Sequence, residues 1–86
     1  MSVGINIQRE GAEISWTPGD YVGPVTIKAV NIENNDVGVV KDTNDGKHFL
    51  TWPQGVWTDH ITVYQGDDPE NLGAVVDEGD VTVVVD

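Results

Sequence analysis

Apolar residues recur at every second position along this chain. Val3, Ile5 and Ile7 alternate with Gly4, Asn6 and Gln8, and Ala12, Ile14 and Trp16 alternate with Glu13, Ser15 and Thr17. A period of two puts one set of side chains on each face of a pleated strand. With Arg9-Glu10-Gly11-Ala12 as the turn, the two runs predict a β-hairpin. Residues 17–23 read as a loop, because Pro18-Gly19 breaks the pattern and Gly19 tolerates positive φ.

The next run places Val25, Ile27 and Ala29 on one face of a strand and Thr26 and Lys28 on the other. Its apolar set then moves to Val30 and Ile32, a phase change that predicts a β-bulge near Ala29-Val30. Asn34-Asn35-Asp36 predicts a turn before a strand that begins at Val37 and Val39. Thr43-Asn44-Asp45-Gly46 is the strongest turn signal, since Asp-Gly supplies the left-handed residues of a two-residue hairpin. A strand over 47–52 follows, then a loop over 53–60, then a strand with Ile61, Val63 and Gln65 set against Thr62 and Tyr64. Pro69 marks 66–71 as a loop. A short apolar strand over 73–76, a turn at Asp77-Glu78-Gly79-Asp80 and a strand over 81–85 complete the chain.

One pattern occurs twice. Ser15-Trp16-Thr17-Pro18-Gly19-Asp20-Tyr21 with Val25-Thr26-Ile27 aligns, at a spacing of 36, with Thr51-Trp52-Pro53-Gln54-Gly55-Val56-Trp57 with Ile61-Thr62-Val63. The match covers a hydroxyl, a Trp, a Gly, a second aromatic and an apolar-Thr-apolar triplet. It extends weakly to give units of about 9–40 and 45–76. Two such units are too few for a solenoid or propeller. About seven or eight short strands with frequent turns instead predict one all-β domain over 1–86, an antiparallel, Ig-like β-sandwich of two pseudo-repeated halves.

Composition narrows the function more than it narrows the fold. A chain of 86 residues is near the small end of what folds unaided, and without Cys it has neither disulfides nor thiolate metal sites. Fifteen acidic against four basic residues give a net charge of −11. The second half is the more acidic, with nine acids and one base after residue 43. That balance repels phosphate backbones and anionic lipids, so nucleic-acid and membrane partners are not expected. The acidity fits solubility of a Val-rich β-protein, a basic partner, or a salt-rich setting. The first residues have neither a basic region nor an apolar run, so neither a signal peptide nor a transmembrane segment is expected.

Trp16 and Trp52, in phase with Ile14 and Leu50, are read as core plugs. Tyr21 and Trp57 either fold over the core edge or present aromatic platforms for a sugar or a protein partner, Trp57 being the better placed. Asp67, Asp68, Glu70 and Asn71, and Asp77, Glu78 and Asp80, form two acidic loops, but their spacing is not that of a calcium loop. His48 and His60 have no nucleophile or ligand partner nearby in sequence and are read as surface residues. No catalytic constellation, metal site or cofactor is expected, and the chain reads as a non-enzyme.

Cys-free, acidic, Val/Thr/Asp-rich chains with Trp-Pro-x-Gly and Val-Thr-Val segments resemble small Ig-like accessory proteins of tailed-phage virions, including capsid decoration proteins. The resemblance lies in composition and strand layout, and by motif in 15–27 and 51–63. It implies a structural protein, made in the cytoplasm and then docked on a capsid or tail lattice at the virion surface. The edge-strand character of Val81, Val83 and Val85 suggests an interface there or at the first strand, with a larger assembly or a second copy. Alternatives are a carbohydrate-binding module using Trp57 and Tyr21, an acidic DNA-mimic inhibitor of a nucleic-acid enzyme, and an Ig-like module of a salt-adapted organism.

Overall fold

Seven strands account for most of the chain in a computed structural model, which describes residues 3–7 and 11–86. They are β1 (Gly4–Ile7), β2 (Gly11–Ser15), β3 (Val25–Asn31), β4 (Val37–Asp42), β5 (Lys47–Thr51), β6 (Gly55–Gln65) and β7 (Val75–Val85). All pairings are antiparallel, in two sheets ordered β1-β2-β5 and β4-β3-β6-β7. No helix among the described residues is long and apolar enough to cross a membrane.

The two-residue alternation explains the core. In β2, Ala12 and Ile14 are fully buried while Ser15 is exposed. In β3 and β6 the inward residues are Val25, Ile27, Ile61 and Val63, and in β7 they are Val81, Val83 and Val85. The two sheets bury these faces against each other in a sandwich-like arrangement, with Val3 and Trp16 joining the cluster. Burial of this apolar area is the main term holding the sheets together.

β1 and β2 form the expected hairpin, with Ile5 opposite Ile14. Of the turn expected at Arg9-Glu10-Gly11-Ala12, Arg9 and Glu10 lie outside the described residues, whereas Gly11 and Ala12 already belong to β2, where they pair with Thr51 and Leu50. Four other expectations give way. The bulge is not at Ala29-Val30: β3 pairs regularly with both neighbours throughout Val25–Asn31. Val30 simply occupies the outer face and Ile32 is exposed beyond the strand, so the apolar shift marks surface residues. The register shift instead falls between Val63 and Tyr64, where Val76 of β7 is the extra residue.

Thr43-Asn44-Asp45-Gly46 does turn the chain, with positive φ at Asn44 and Gly46, but it closes no hairpin. β4 pairs with β3 and β5 with β2, so this turn carries the chain from one sheet to the other. The second Trp loop is also shorter than expected. β6 already begins at Gly55, because Val56, Trp57 and Thr58 find backbone partners in Val84, Val83 and Thr82. Finally, Asp77-Glu78-Gly79-Asp80 is strand. Its residues pair with Val63, Thr62, Ile61 and His60, and this ladder overrides their turn-forming composition. The acidic segment is therefore on the sheet, and the described residues form seven strands.

Candidate functional site

Each Trp of the repeated pattern stands where the chain leaves the three-stranded sheet. Trp16 follows β2, is nearly fully buried, and donates its indole N–H to Asn44 Oδ1 at 2.9 Å. Its backbone N–H reaches Gly46 O at 3.0 Å, fixing the inter-sheet turn against it. Trp52 follows β5, is half-buried, and donates to Asp59 Oδ2 at 3.1 Å. Trp16 thus plugs the core as expected, whereas Trp52 sits at its border.

That border is an open groove. β4 and β5 are both edge strands, one in each sheet, and they face each other without pairing. Between them lies a depression of about 480 Å³ floored by Ile27, Ala29, Asn31 and Asp59, with Val40, Leu50, Trp52 and Trp57 among its walls. Trp57 is held by a 2.8 Å bond from its indole N–H to Pro53 O. Asp59 is buried, accepting from Asn31 Nδ2 at 3.0 Å as well as from Trp52. Asn31 in turn accepts the backbone N–H groups of Glu33 and Asn34, so one buried network ties the β3–β4 turn to the groove floor.

A second surface is the outer face of the four-stranded sheet. Register places Val37, Val39 and Lys41 of β4, Lys28 and Val30 of β3, Val56, Thr58 and His60 of β6, and Asp80, Thr82 and Val84 of β7 on it. Val56 and Val84 lie directly opposite each other and are 67% and 47% exposed. Beside them Thr58 and Thr82 share a 3.0 Å hydroxyl contact, and Ile32, 56% exposed, is bonded through its N–H to Thr58 O. Single exposed apolar residues need no explanation, but a contiguous set on one sheet face does.

The residues singled out from sequence are not brought together. Tyr21 packs on the opposite end of the sandwich, where its hydroxyl donates to Pro24 O and accepts from Gly66 N–H. Gly66 follows the last residue of β6 and Trp57 lies near its first, a separation of roughly 30 Å at about 3.3 Å per residue. The two aromatics therefore form no common platform. Val81, Val83 and Val85 point into the core, so their side chains are not offered to a partner. β7 does lie at a sheet edge, and its outward apolar residue is Val84.

The histidines each meet acids. His48 Nδ1 bonds Asp42 Oδ2 at 2.8 Å. Burial pushes the Asp42 carboxyl up, but bonds from His48 and from the backbone N–H groups of Asn44 and Asp45 outweigh it and hold it below its ordinary value. His60 Nδ1 lies 2.6 Å from Asp80 and its Nε2 3.5 Å from Glu78. The Asp80 bond raises the His60 pKa, against a weaker opposing effect of burial and with Glu78 adding to the rise. Of the acidic turn residues, Asp77 is the exception in being buried. It accepts from Thr17 N–H at 3.2 Å and Glu78 N–H at 2.9 Å, pinning the first Trp loop to the bulged start of β7.

Sequence reading missed Asp59, Asn31 and the β4–β5 gap. Asp59 appears in the chain as one acid among fifteen; it is in phase with the inward Ile61 and Val63, a signal lost when 53–60 is read as a loop. The chain matches no family model, no curated protein and no solved structure.

Proposed function

We propose that this chain is a non-catalytic docking module of Ig-like architecture, which attaches to a larger protein assembly such as a capsid or tail lattice. The observation that carries this reading is the outer face of the four-stranded sheet. On a chain of net charge −11, the area around Ile32, Val56, Val84, Thr58 and Thr82 is apolar or hydroxylic. Carboxylates, Asp80 on the same face included, lie around this area rather than within it, as at the rim of a docking face with an apolar centre.

The strand partition supports the Ig-like part of the reading, since β5 joins β1-β2 while β4, β3, β6 and β7 form the facing sheet. The register supports the repeat. Glu13 and Phe49, which are equivalent under the 36-residue spacing, are direct partners in one sheet, and so are Ile27 and Val63 in the other. A two-fold relation between the two units would put an axis through each of those pairs.

The test is sedimentation of native lysate with detection of the chain, comparing wild type with Val56→Glu/Val84→Glu. Co-migration with megadalton particles that the double variant abolishes, while its fold is retained, is the expected result. A chain found only as a free small species overturns the reading.

A second reading, an acidic inhibitor of a basic nucleic-acid enzyme, is favoured by a different observation. The connections over 16–24, 43–46 and 66–74 meet at one end of the sandwich, linked by Asn44 Nδ2 to Tyr21 O and by Gly66 N–H to the Tyr21 hydroxyl. They bring exposed Asp20, Asp45, Asp67, Asp68 and Glu70 to that end. Substituting these acids would then abolish inhibition and leave lattice docking intact.

A further inference from the structure

The β4–β5 groove has a chemical character of its own. Among the described residues no Lys or Arg lines it, while Asp36 and Asp59 do. Lys41 and Lys47, on the flanking strands, fall on the outward faces, because Val40 and His48 next to them face inward. At the floor, each oxygen of Asp59 accepts one bond, from Asn31 and from Trp52, although a carboxylate has capacity for about four. The two half-buried indoles of Trp52 and Trp57 share the groove with it, and indole faces attract cations. The walls beside them are apolar, through Val40 and Leu50. On both sides the groove is bounded by strand edges that pair with nothing among the described residues, and an unpaired edge is a template for an added strand.

We propose that this groove binds an extended basic segment of a partner protein. The segment lies between the free edges of β4 and β5, sets its apolar side chains on Val40 and Leu50, and places a lysine or arginine side chain against Asp59 beside Trp52 and Trp57. Charge complementarity selects this occupant. A second copy of the chain brings another net −11 and only four bases, so self-association at this groove is opposed by repulsion, whereas a basic segment is drawn in by the same field. This site is separate from the outer sheet face around Val56 and Val84, and either can exist without the other.

The three indole N–H signals of Trp16, Trp52 and Trp57 provide the readout, in a proton–nitrogen correlation spectrum of the full chain. The probe is an acetylated and amidated Val-Thr-Arg-Thr-Val peptide, whose Val and Arg side chains share one face of an extended strand, with a control carrying Glu in place of Arg. The expected result is movement of the Trp52 and Trp57 signals with Trp16 unmoved, and binding of the control weaker by at least about tenfold. Asp59→Asn and Gly38→Lys are each expected to weaken binding by about tenfold or more. Gly38 is exposed, lines the groove in the inward phase of Val40, and a Cβ there meets nothing, so its substitution tests the site without touching the buried network. No movement of Trp52 and Trp57 up to about 5 mM peptide, an equal response to the Glu control, or unchanged binding by Gly38→Lys would overturn the proposal. So would movement of the same two signals on raising protein concentration alone, which would assign the groove to a second copy.

Discussion

The indole N–H of Trp52 donates to Asp59 Oδ2 at 3.1 Å across the short connection from β5 to β6, joining an edge of one sheet to the interior of the other. Because Asn31 Nδ2 uses the other oxygen, removal of the carboxylate leaves two donors without partners in a largely dry place. Asp59→Ala is therefore expected to cost about 2–4 kcal/mol in denaturant unfolding, and Asp59→Asn, which keeps an acceptor, roughly 1 kcal/mol. Equal losses for the two variants would contradict the assigned role of the oxygens.

A Cβ added at Gly11 would overlap the backbone carbonyl of Leu50 on the neighbouring strand. The obstacle is main chain held in the β2–β5 ladder, so it cannot swing aside. Gly11→Ala is expected to destabilise by about 2 kcal/mol or more, in the range of overpacked cores. Thermal unfolding measures it, and a neutral result would mean the β2–β5 register is not the one described.

Thr26 is fully buried although it points to the outer face, and its hydroxyl donates to Gly66 O at 2.8 Å. The bond fastens the β6–β7 connection over β3. Thr26→Val preserves shape and leaves the Gly66 carbonyl without that donor, for a loss of about 1 kcal/mol. Faster amide exchange at residues 66–74 should accompany it, and unchanged exchange there would show that the connection is held by other means.

The carboxyl of Asp42 has a native pKa held below its ordinary value of 3.8. A lowered native pKa stabilises the fold above the unfolded value, and the contribution is lost as pH falls through the native one. Wild type should therefore lose its advantage over Asp42→Asn below about pH 4. An advantage that persisted undiminished in acid would place its source outside this carboxylate.

His60 behaves with the opposite sign. Its pKa is raised above 6.5 by Asp80, with Glu78 assisting. The stabilising contribution is complete below the unfolded value and disappears as pH rises through the native one. Its half-exposed position keeps the effect small. The His60 ring protons, followed by NMR, should titrate above 6.5 in wild type and closer to it in Asp80→Asn; coincident titration curves would exclude the pairing.

Much of the architecture can be read from alternation alone, because burial on one face forces a period of two. Ile14, Ile27 and Val63 announce themselves in this way, and each is buried as its phase requires, whereas Val83, in the unbroken run Val83-Val84-Val85 and expected at an interface, is buried as well. Partnership is less legible. Asp45-Gly46 has the composition of a hairpin turn, yet β4 and β5 join different sheets, a choice made by which face of each strand is apolar relative to strands far away in sequence. Asp77-Glu78-Gly79-Asp80 has the composition of a turn, yet eleven residues of β7 run straight through it, because backbone partners in β6 outweigh local preference. The groove was hidden for the same reason: a gap between two edges is a property of the pairing, and neither Trp57 nor Asp59 carries a local mark of it.

The pairing of β5 with β2, across the intervening β3 and β4, also governs how the chain reaches its native state. β2 finds its second partner only after β3 and β4 have been made, and Ile14 must wait for His48. The N-terminal hairpin alone is too small to persist in water. Closure of that long loop then precedes most of the reward from burial, so folding belongs with the slower, topologically non-local domains, on the scale of milliseconds to seconds. During that interval Val-rich strands stand unpaired, and the high negative charge that sets the mature surface also keeps nascent copies apart.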